Sequence, residues 1–466
     1  MTPALLALAL LAGGLVLLAV TLRPTAAVLL FVVVLVSSAS DVVGYVGPLS
    51  LFLVTFAVAV AALGFAVWRG ELRLVWSPVF LFAGLFLAAR ALSLVVARDP
   101  ERGIAVVFAE ARDLLVLVVL ATFLAAAPRL RLVVAAATGV VAALAGLSLL
   151  QEFVFYNATD FAGFSNTPIE ADLGGTRVRH SGPEQDVNQW ARNLLLFLPL
   201  ALALAAHRCA GHRRWLWLVA AAAMLGGLYL TQSRGGLLGL VTGLVVWLAL
   251  SGRAVVKLAA LFAVVAVVAV LVPGAGSRVA TLTLLGTDTP GVTDPSLSNR
   301  AAVQRVGTAM ALDHPLLGVG AGNFEVRERE YQRETAQVIT EGVIAPHNLY
   351  LQMQAESGVI GLAAWLAFFS AAAAAAARAW RSARRLAPGR TSLGGLLSAG
   401  VLAALAGWAV ASVPLHLSDF SVLLVVVALA VALDQRARQA LTAGSPLPPT
   451  PRQPQQSPAP AEASRA

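Results

Sequence analysis

The sequence predicts an all-α fold: a polytopic helix bundle that crosses a membrane about 12–13 times, with one large helical loop outside it. Three observations lead there. Of the 466 residues, 59% are hydrophobic and only 12% charged, with a mean hydropathy of +0.81, far from the composition of a water-soluble domain. Apolar runs long enough to cross a bilayer as helices recur along the chain, where a membrane barrel would show short alternating strands. The basic residues gather in every second connection between those runs.

Taken in order, the runs lie near 4–22, 26–44, 49–68, 75–97, 104–127, 132–154, 189–206, 215–232, 235–251, 254–272, 348–377, 391–414 and 418–434. The first lacks the basic start and the cleavage site of a signal peptide and is read as a helix. Arg23, Arg69 with Arg73, Arg129 with Arg131, Arg208 with Arg213 and Arg214, and Arg253 with Lys257 occupy alternate connections. Arg378, Arg381, Arg384, Arg385 and Arg390 occupy another, and Arg436 and Arg438 follow the last run. The excess of positive charge in cytoplasmic loops puts all of these inside. The connections 155–188 and 273–347 then face outward. Orientation accounts for the net charge of +9, so no nucleic-acid partner is expected. The single cysteine, Cys209, permits no internal disulfide. No internal repeat is visible, which argues against inverted-repeat transporter folds. The chain divides into a transmembrane domain, 1–439, and a Pro/Ala/Ser-rich tail, 440–466, expected to be disordered and cytoplasmic.

The two outward connections hold most of the polar sequence. In the first, Arg177 and Arg179 lead through His180-Ser181-Gly182 to Asp186-Val187-Asn188. In the second, residues 294–299 offer helix-capping side chains, and Arg300 opens an amphipathic helix with Val303, Val306, Met310 and Leu312. Asp313-His314-Pro315 ends that helix. Leu316 to Phe324, with Gly318, Gly320 and Gly322, reads as a turn, since no strand precedes it as a dinucleotide fingerprint would require. Glu325 to about Thr340 reads as a surface helix whose charges form a solvated face.

Two residues stand out as candidates for chemistry. Arg234 interrupts the apolar stretch 226–250 within Thr231-Gln232-Ser233-Arg234-Gly235-Gly236, at its outward turn. An arginine at membrane depth is costly and marks function more often than not. The glycines would leave the next helix start bare, so that backbone N–H groups and the guanidinium converge on one anion. The plainer alternative is an arginine that snorkels to the surface. Arg177, Arg179, Arg300 and Arg305 also lie outside, against the usual charge bias, and several guanidinium forks together suit a diphosphate. His347 is the second candidate. Pro346 suits a first helical turn, which would put His347 at the helix N-terminus, in a setting that suits a proton acceptor. On an unbroken helix Gln354, Gly358 and Gly361 fall within about 40° of His347, so another helix can approach closely below it. The plainer alternative is a histidine that only caps its helix. Neither a phosphate-binding Gly-x-x-x-x-Gly-Lys-Ser/Thr loop nor a His-Glu-x-x-His or calcium-loop motif occurs, so no nucleotide, metal or other cofactor is expected.

In the order of its motifs the chain resembles the O-antigen ligase and O-antigen polymerase superfamily, over residues 20 to 435 or so. The resemblance rests first on Arg179-x-x-Gly182 followed by Asp186-Val-Asn188, and on Ser233-Arg234-Gly235-Gly236. It rests also on Arg300 ahead of Asp313-His-Pro315-Leu-Leu-Gly318-Val-Gly320-Ala-Gly322-Asn-Phe324, and on His347-Asn348 followed by Gly358-x-x-Gly361. It implies a membrane glycosyltransferase of the C type in the bacterial inner (plasma) membrane, with its site on the periplasmic face. Such enzymes take a glycan from undecaprenyl diphosphate without metal or nucleotide. Ligases pass it to lipid A–core, polymerases to another lipid-linked repeat, and protein oligosaccharyltransferases to a side-chain hydroxyl. The resemblance assigns Arg179, Arg234 and Arg300 to the diphosphate and His347, with Arg234, to catalysis. Asn188, Asn348, Gly358 and Gly361 are expected to support the site.

A lipid-linked glycan transporter or flippase is the rival of another class. It expects acidic residues inside helices, for which Glu110, Asp113 and Glu152 are the candidates, all expected near helix ends. The two readings part on whether Arg179, Arg234, Arg300 and His347 gather at one outer face.

Overall fold

The computed structural model describes residue 14 and residues 24–46, 49–127, 130–172, 175–251, 295–335, 346–387, 392–415 and 420–442. Within these the chain is helical: α1 (Pro24–Val36), a short α2 (Ala39–Val43), α3 (Leu51–Trp68), α4 (Pro78–Ser93), α5 (Pro100–Ala126) and α6 (Leu130–Phe153). There follow α7 (Val187–Ala206), α8 (Arg214–Thr231), α9 (Arg234–Leu250), α10 (Pro295–Asp313), α11 (Phe324–Glu334), α12 (Leu349–Leu386), α13 (Leu393–Ala411) and α14 (Ser421–Thr442). Two small antiparallel hairpins punctuate the connections, β1 (Tyr45–Val46) with β2 (Leu49–Ser50), and β3 (Ile169–Asp172) with β4 (Gly175–Val178). Among the described residues seven helices are long and apolar enough to cross a membrane, which makes this an all-α polytopic bundle. The expected spans at 4–22 and 254–272, and the tail beyond Thr442, lie outside the described residues. The run expected over 26–44 is broken at Ser37-Ser38, where Ser38 takes a left-handed backbone and its hydroxyl donates to Glu184.

α7 is the central post. Its side chains are buried almost without interruption from Val187 to Ala205, with α8 and α13 packed along it. α9 approaches α13 on a stripe of small residues, Gly235, Gly239 and Gly243. A Cβ on Gly239 would stand 2.5 Å from the Gly407 carbonyl oxygen. In hydrocarbon this close approach replaces the hydrophobic effect as the source of helix–helix affinity.

One end of the bundle collects arginine-rich connections. Arg378 and Arg438 both pair with Asp434, at 2.9 and 3.0 Å. Arg436 donates to the Ala127 carbonyl at 2.8 Å, and Gln435 donates to that of Trp76. The ends of α5, α12 and α14 and the connection after α3 thus share a side, as the alternation of charge predicts.

Candidate active site at the opposite end of the bundle

The last carbonyls of a helix have no partner within it. At the end of α8 the connection after β4 supplies them. The His180 amide donates to the Leu230 carbonyl at 3.2 Å, and Arg179 Nε donates to that of Thr231 at 2.9 Å. Gln232 then turns the chain with φ 52°, and Ser233 caps α9 by accepting from the Gly236 amide at 3.1 Å. The same Ser233 hydroxyl donates to Asn188 Oδ1 at 2.8 Å. Asn188 is fixed in turn by Asp186, which caps α7 and accepts from the Asn188 amide at 2.7 Å. Three motifs far apart in sequence, 179–182, 186–188 and 231–236, therefore interlock. Arg234 is the first residue of α9 and is half-buried. The helix start is not bare, contrary to the sequence expectation. The Gly236 amide is taken by Ser233, and both glycines are packed: a Cβ on Gly235 would lie 2.8 Å from Pro414, one on Gly236 3.0 Å from Ala191.

His347 reaches the same end from another direction. The Leu349 amide donates to the Ser412 carbonyl at 3.1 Å, and the Tyr350 hydroxyl donates to that of Ala409 at 2.9 Å. Gly235 packs on the same segment, against Ala411 and Pro414. Arg192, 1% exposed on α7, braces it with a bond to Ser412 Oγ at 3.5 Å, a bond to Gln189 and a seat 5.5 Å from the Trp408 ring centre. Sequence reasoning passed over Arg192. The expectation that Pro346 and His347 form the first helical turn is corrected. Asn348 is the cap, accepting from the Tyr350 and Leu351 amides at 3.0 and 3.1 Å, so both residues precede the helix. His347 is half-buried with φ 42°, a left-handed backbone that is costly for a residue with a Cβ. The contacts thus join Arg179, Asn188, Arg234, His347 and Asn348 at one end. Arg300 lies on α10, which docks where Gly307 meets Leu351 of α12, seven residues or about 10 Å further along.

Gly358 and Gly361 do not share an unbroken face with His347, which corrects the helical-wheel reading. α12 is broken at Gly358, with φ 63° and ψ −168°. The glycine-rich turn after α10 is what breaks it. Val359 donates to the Pro315 carbonyl at 2.8 Å, while the Val319 and Gly320 amides donate to the carbonyls of Ala355 and Glu356 at 2.9 and 3.0 Å. A Cβ on Gly358 would sit 2.1 Å from Leu316 backbone, and one on Gly318 2.4 Å from that of Glu356. Gly361 faces the Ser357 side chain across the break, at 2.2 Å from where its Cβ would lie. α10 begins at Pro295 rather than Arg300 and buries Val303, Val306 and Met310, but Leu312 is 73% exposed. The charges of α11 are in part a solvated face, where Glu330 pairs with Arg98 before α5 and Glu325 with Arg102 in its first turn, but Glu328 is only 2% exposed. Burial pushes the Glu328 carboxyl above its usual range, and burial beside Asp313 pushes the Tyr331 hydroxyl up to about 12.

Beneath the turn lies a buried charge cluster that sequence reasoning did not assemble. Arg90 of α4 donates from Nε to Glu110 Oε1 at 2.9 Å, and from Nη1 to Glu356 Oε2 at 2.8 Å and Ser357 Oγ at 2.9 Å. Glu356 Oε2 also accepts from the Gly322 amide at 3.1 Å. Glu110 and Asp113 are buried well inside α5 rather than near its end, because α5 starts at Pro100. Behind Arg179, the buried His180 holds Nε2 3.0 Å from Glu152 Oε2.

A comparison with curated proteins finds no match. The family description O-antigen ligase matches residues 219–366, a stretch that runs from α8 into α12 and includes Arg234, Arg300, His347, Asn348, Gly358 and Gly361. That match, over about a third of the chain, supports the O-antigen ligase superfamily for this stretch.

Proposed function

We propose that this protein transfers a glycan from undecaprenyl diphosphate to an acceptor hydroxyl at the periplasmic face of the bacterial inner membrane, as an O-antigen ligase-like enzyme. The family match supports an O-antigen ligase or polymerase type of function in general. The observation that carries the finer reading is the interlock at one end of the bundle. Arg179 is bonded to Thr231, Asn188 to Ser233 beside Arg234, and Leu349, next to His347-Asn348, to the Ser412 segment on which Gly235 packs.

The chemistry asks two things of these residues. As the anomeric C–O bond breaks, its electron pair leaves with the lipid diphosphate, and guanidinium groups of Arg179, Arg234 and Arg300 would stabilise the growing charge. As the acceptor oxygen bonds to the anomeric carbon, it sheds a proton, which His347 would take. A single displacement inverts the anomeric centre, and Asp186 of the interlock is engaged in capping α7 rather than offered as a nucleophile. We assign no step to a metal or nucleotide.

The test is transfer by the purified full-length protein from an undecaprenyl-diphosphate oligosaccharide, without nucleotide and with chelator, wild type beside His347→Ala. Product from the wild type alone is the expected result. Supplying lipid A–core, or donor only, separates ligase from polymerase. The buried acids of α5 and α12 give the flippase reading a specific footing, since coupling residues inside helices are what it expects. Movement of the donor across vesicle membranes with no transfer to any acceptor would establish that reading instead.

A further inference from the structure

We infer that the buried Arg90–Glu356 pair is a positioning device for the transfer site, setting the tilt of the short helical segment that presents His347. The inference rests on the function proposed above and adds residues outside the interlocked site.

The first segment of α12, from Leu349 to the break at Gly358, behaves as a rod of nine residues, about 13 Å long. Its outer end is the Asn348 cap beside His347. Because of the break, its inner end is not held in line by a continuing helix. Three elements hold it instead. The turn before α11 grips the carbonyls of Ala355 and Glu356, and Arg90 of α4 grips the Glu356 carboxylate and the Ser357 hydroxyl. Glu110 of α5 takes the Nε edge of the same guanidinium and so fixes its plane. Asn348, Gln352 and Glu356 lie at intervals of four along the rod, and Gln352 donates to Glu356 Oε1 at 3.3 Å, a polar ridge that runs from cap to cluster.

Stability is a poor reason to keep this arrangement. Side chains of Arg90, Glu356 and Glu110 are only 2%, 4% and 7% exposed, and Glu110 Oε2 has no hydrogen-bond partner. An apolar trio of equal volume holds a bundle at least as well as a buried ion cluster does. What the cluster supplies is one defined geometry. Tilting a 13 Å rod by about 5° moves its tip by roughly 1 Å, and such a displacement of a reacting group costs about a hundredfold in rate.

The experiment measures initial transfer rates against donor concentration for the full-length protein in lipid nanodiscs, with Glu356→Gln, Arg90→Gln and the double variant. We expect kcat to fall about thirtyfold to hundredfold in each single variant while KM for the donor stays within about threefold. The double variant is expected to be no worse than the worse single one, since the two residues act as a unit. Hydrogen exchange should rise in 349–357 alone. An unchanged kcat overturns the inference. So does a joint loss of kcat and donor affinity with faster exchange throughout, which would mark a general structural role. If Glu356→Gln does not fold, Glu356→Asp keeps the charge and shortens the reach; unchanged kcat there is equally decisive against it. A wild type that makes no product refutes the proposed function first, and the positioning role falls with it.

Discussion

Arg90 and Arg234 are both arginines set into apolar sequence, and their surroundings give them different work. Arg90 is spent entirely inside the protein, on two carboxylates and a serine. Arg234 begins a helix at the bundle end, half-buried, with its neighbours Ser233 and Gly235 fixed by Asn188 and Pro414. A guanidinium held that way suits a diphosphate because its fork meets two oxygens at once. Arg234→Lys keeps the charge but loses the fork, so kcat/KM for a lipid-diphosphate donor is expected to fall by about tenfold to a thousandfold, which is about 1.4 to 4 kcal/mol. Full activity in that variant would remove Arg234 from the diphosphate. The rule that singles out Arg234, a charge at membrane depth, applies equally to Arg90. What one sequence does not display is the partner: Glu110 is 20 positions away and Glu356 is 266. Arg192 stays hidden for a related reason, since Ser412 is 220 positions distant.

At the scale of elements, spans are legible and breaks are not. Some twenty apolar residues in a row are a local requirement for a membrane helix, so most runs coincide with helices in the structure. The break in α12 is imposed from outside by Pro315, Val319 and Gly320, about forty residues earlier. A helical wheel assumes continuity and therefore misplaces Gly358 and Gly361. The glycines were recognisable as important, but their reason is the docked turn rather than a neighbouring helix, whereas Gly235, Gly239 and Gly243 of α9 do pack against a helix. Gly358→Ala tests this. Its backbone, φ 63° with ψ −168°, is open almost only to glycine, and the new Cβ would press on Leu316 backbone at 2.1 Å. Strain of that kind costs about 1–3 kcal/mol before any clash is relieved. The variant is expected to melt several degrees lower in detergent, with increased proteolysis of the 314–323 turn. Gly84→Ala on α4, where nothing lies within 4 Å, is the matched control and should melt no lower than wild type.

Across the whole molecule the distribution of charge and the packing of helix ends have to agree on one orientation. Arginine alternation puts the 207–214 connection inside and the 155–186 connection outside. In the structure the first joins α7 to α8 at the end away from Asn188. The second carries the hairpin β3–β4 and closes over α8 through His180 and Arg179. Both offer an exposed position, His212 in the first and Asp160 in the second. With Cys209 replaced by serine, His212→Cys and Asp160→Cys can each be labelled with a membrane-impermeant maleimide. Right-side-out vesicles are expected to label only the cysteine at 160, and inside-out vesicles only the one at 212. The opposite pattern would place the interlock of Arg179, Asn188, Arg234 and His347 on the cytoplasmic face, where a periplasmic donor and acceptor never meet it. Labelling of both positions from one side would mean that α7, which lies between them, does not span the membrane. The outcome decides whether the arginines that run against the inside-positive bias do lie outside, which a periplasmic ligand would require.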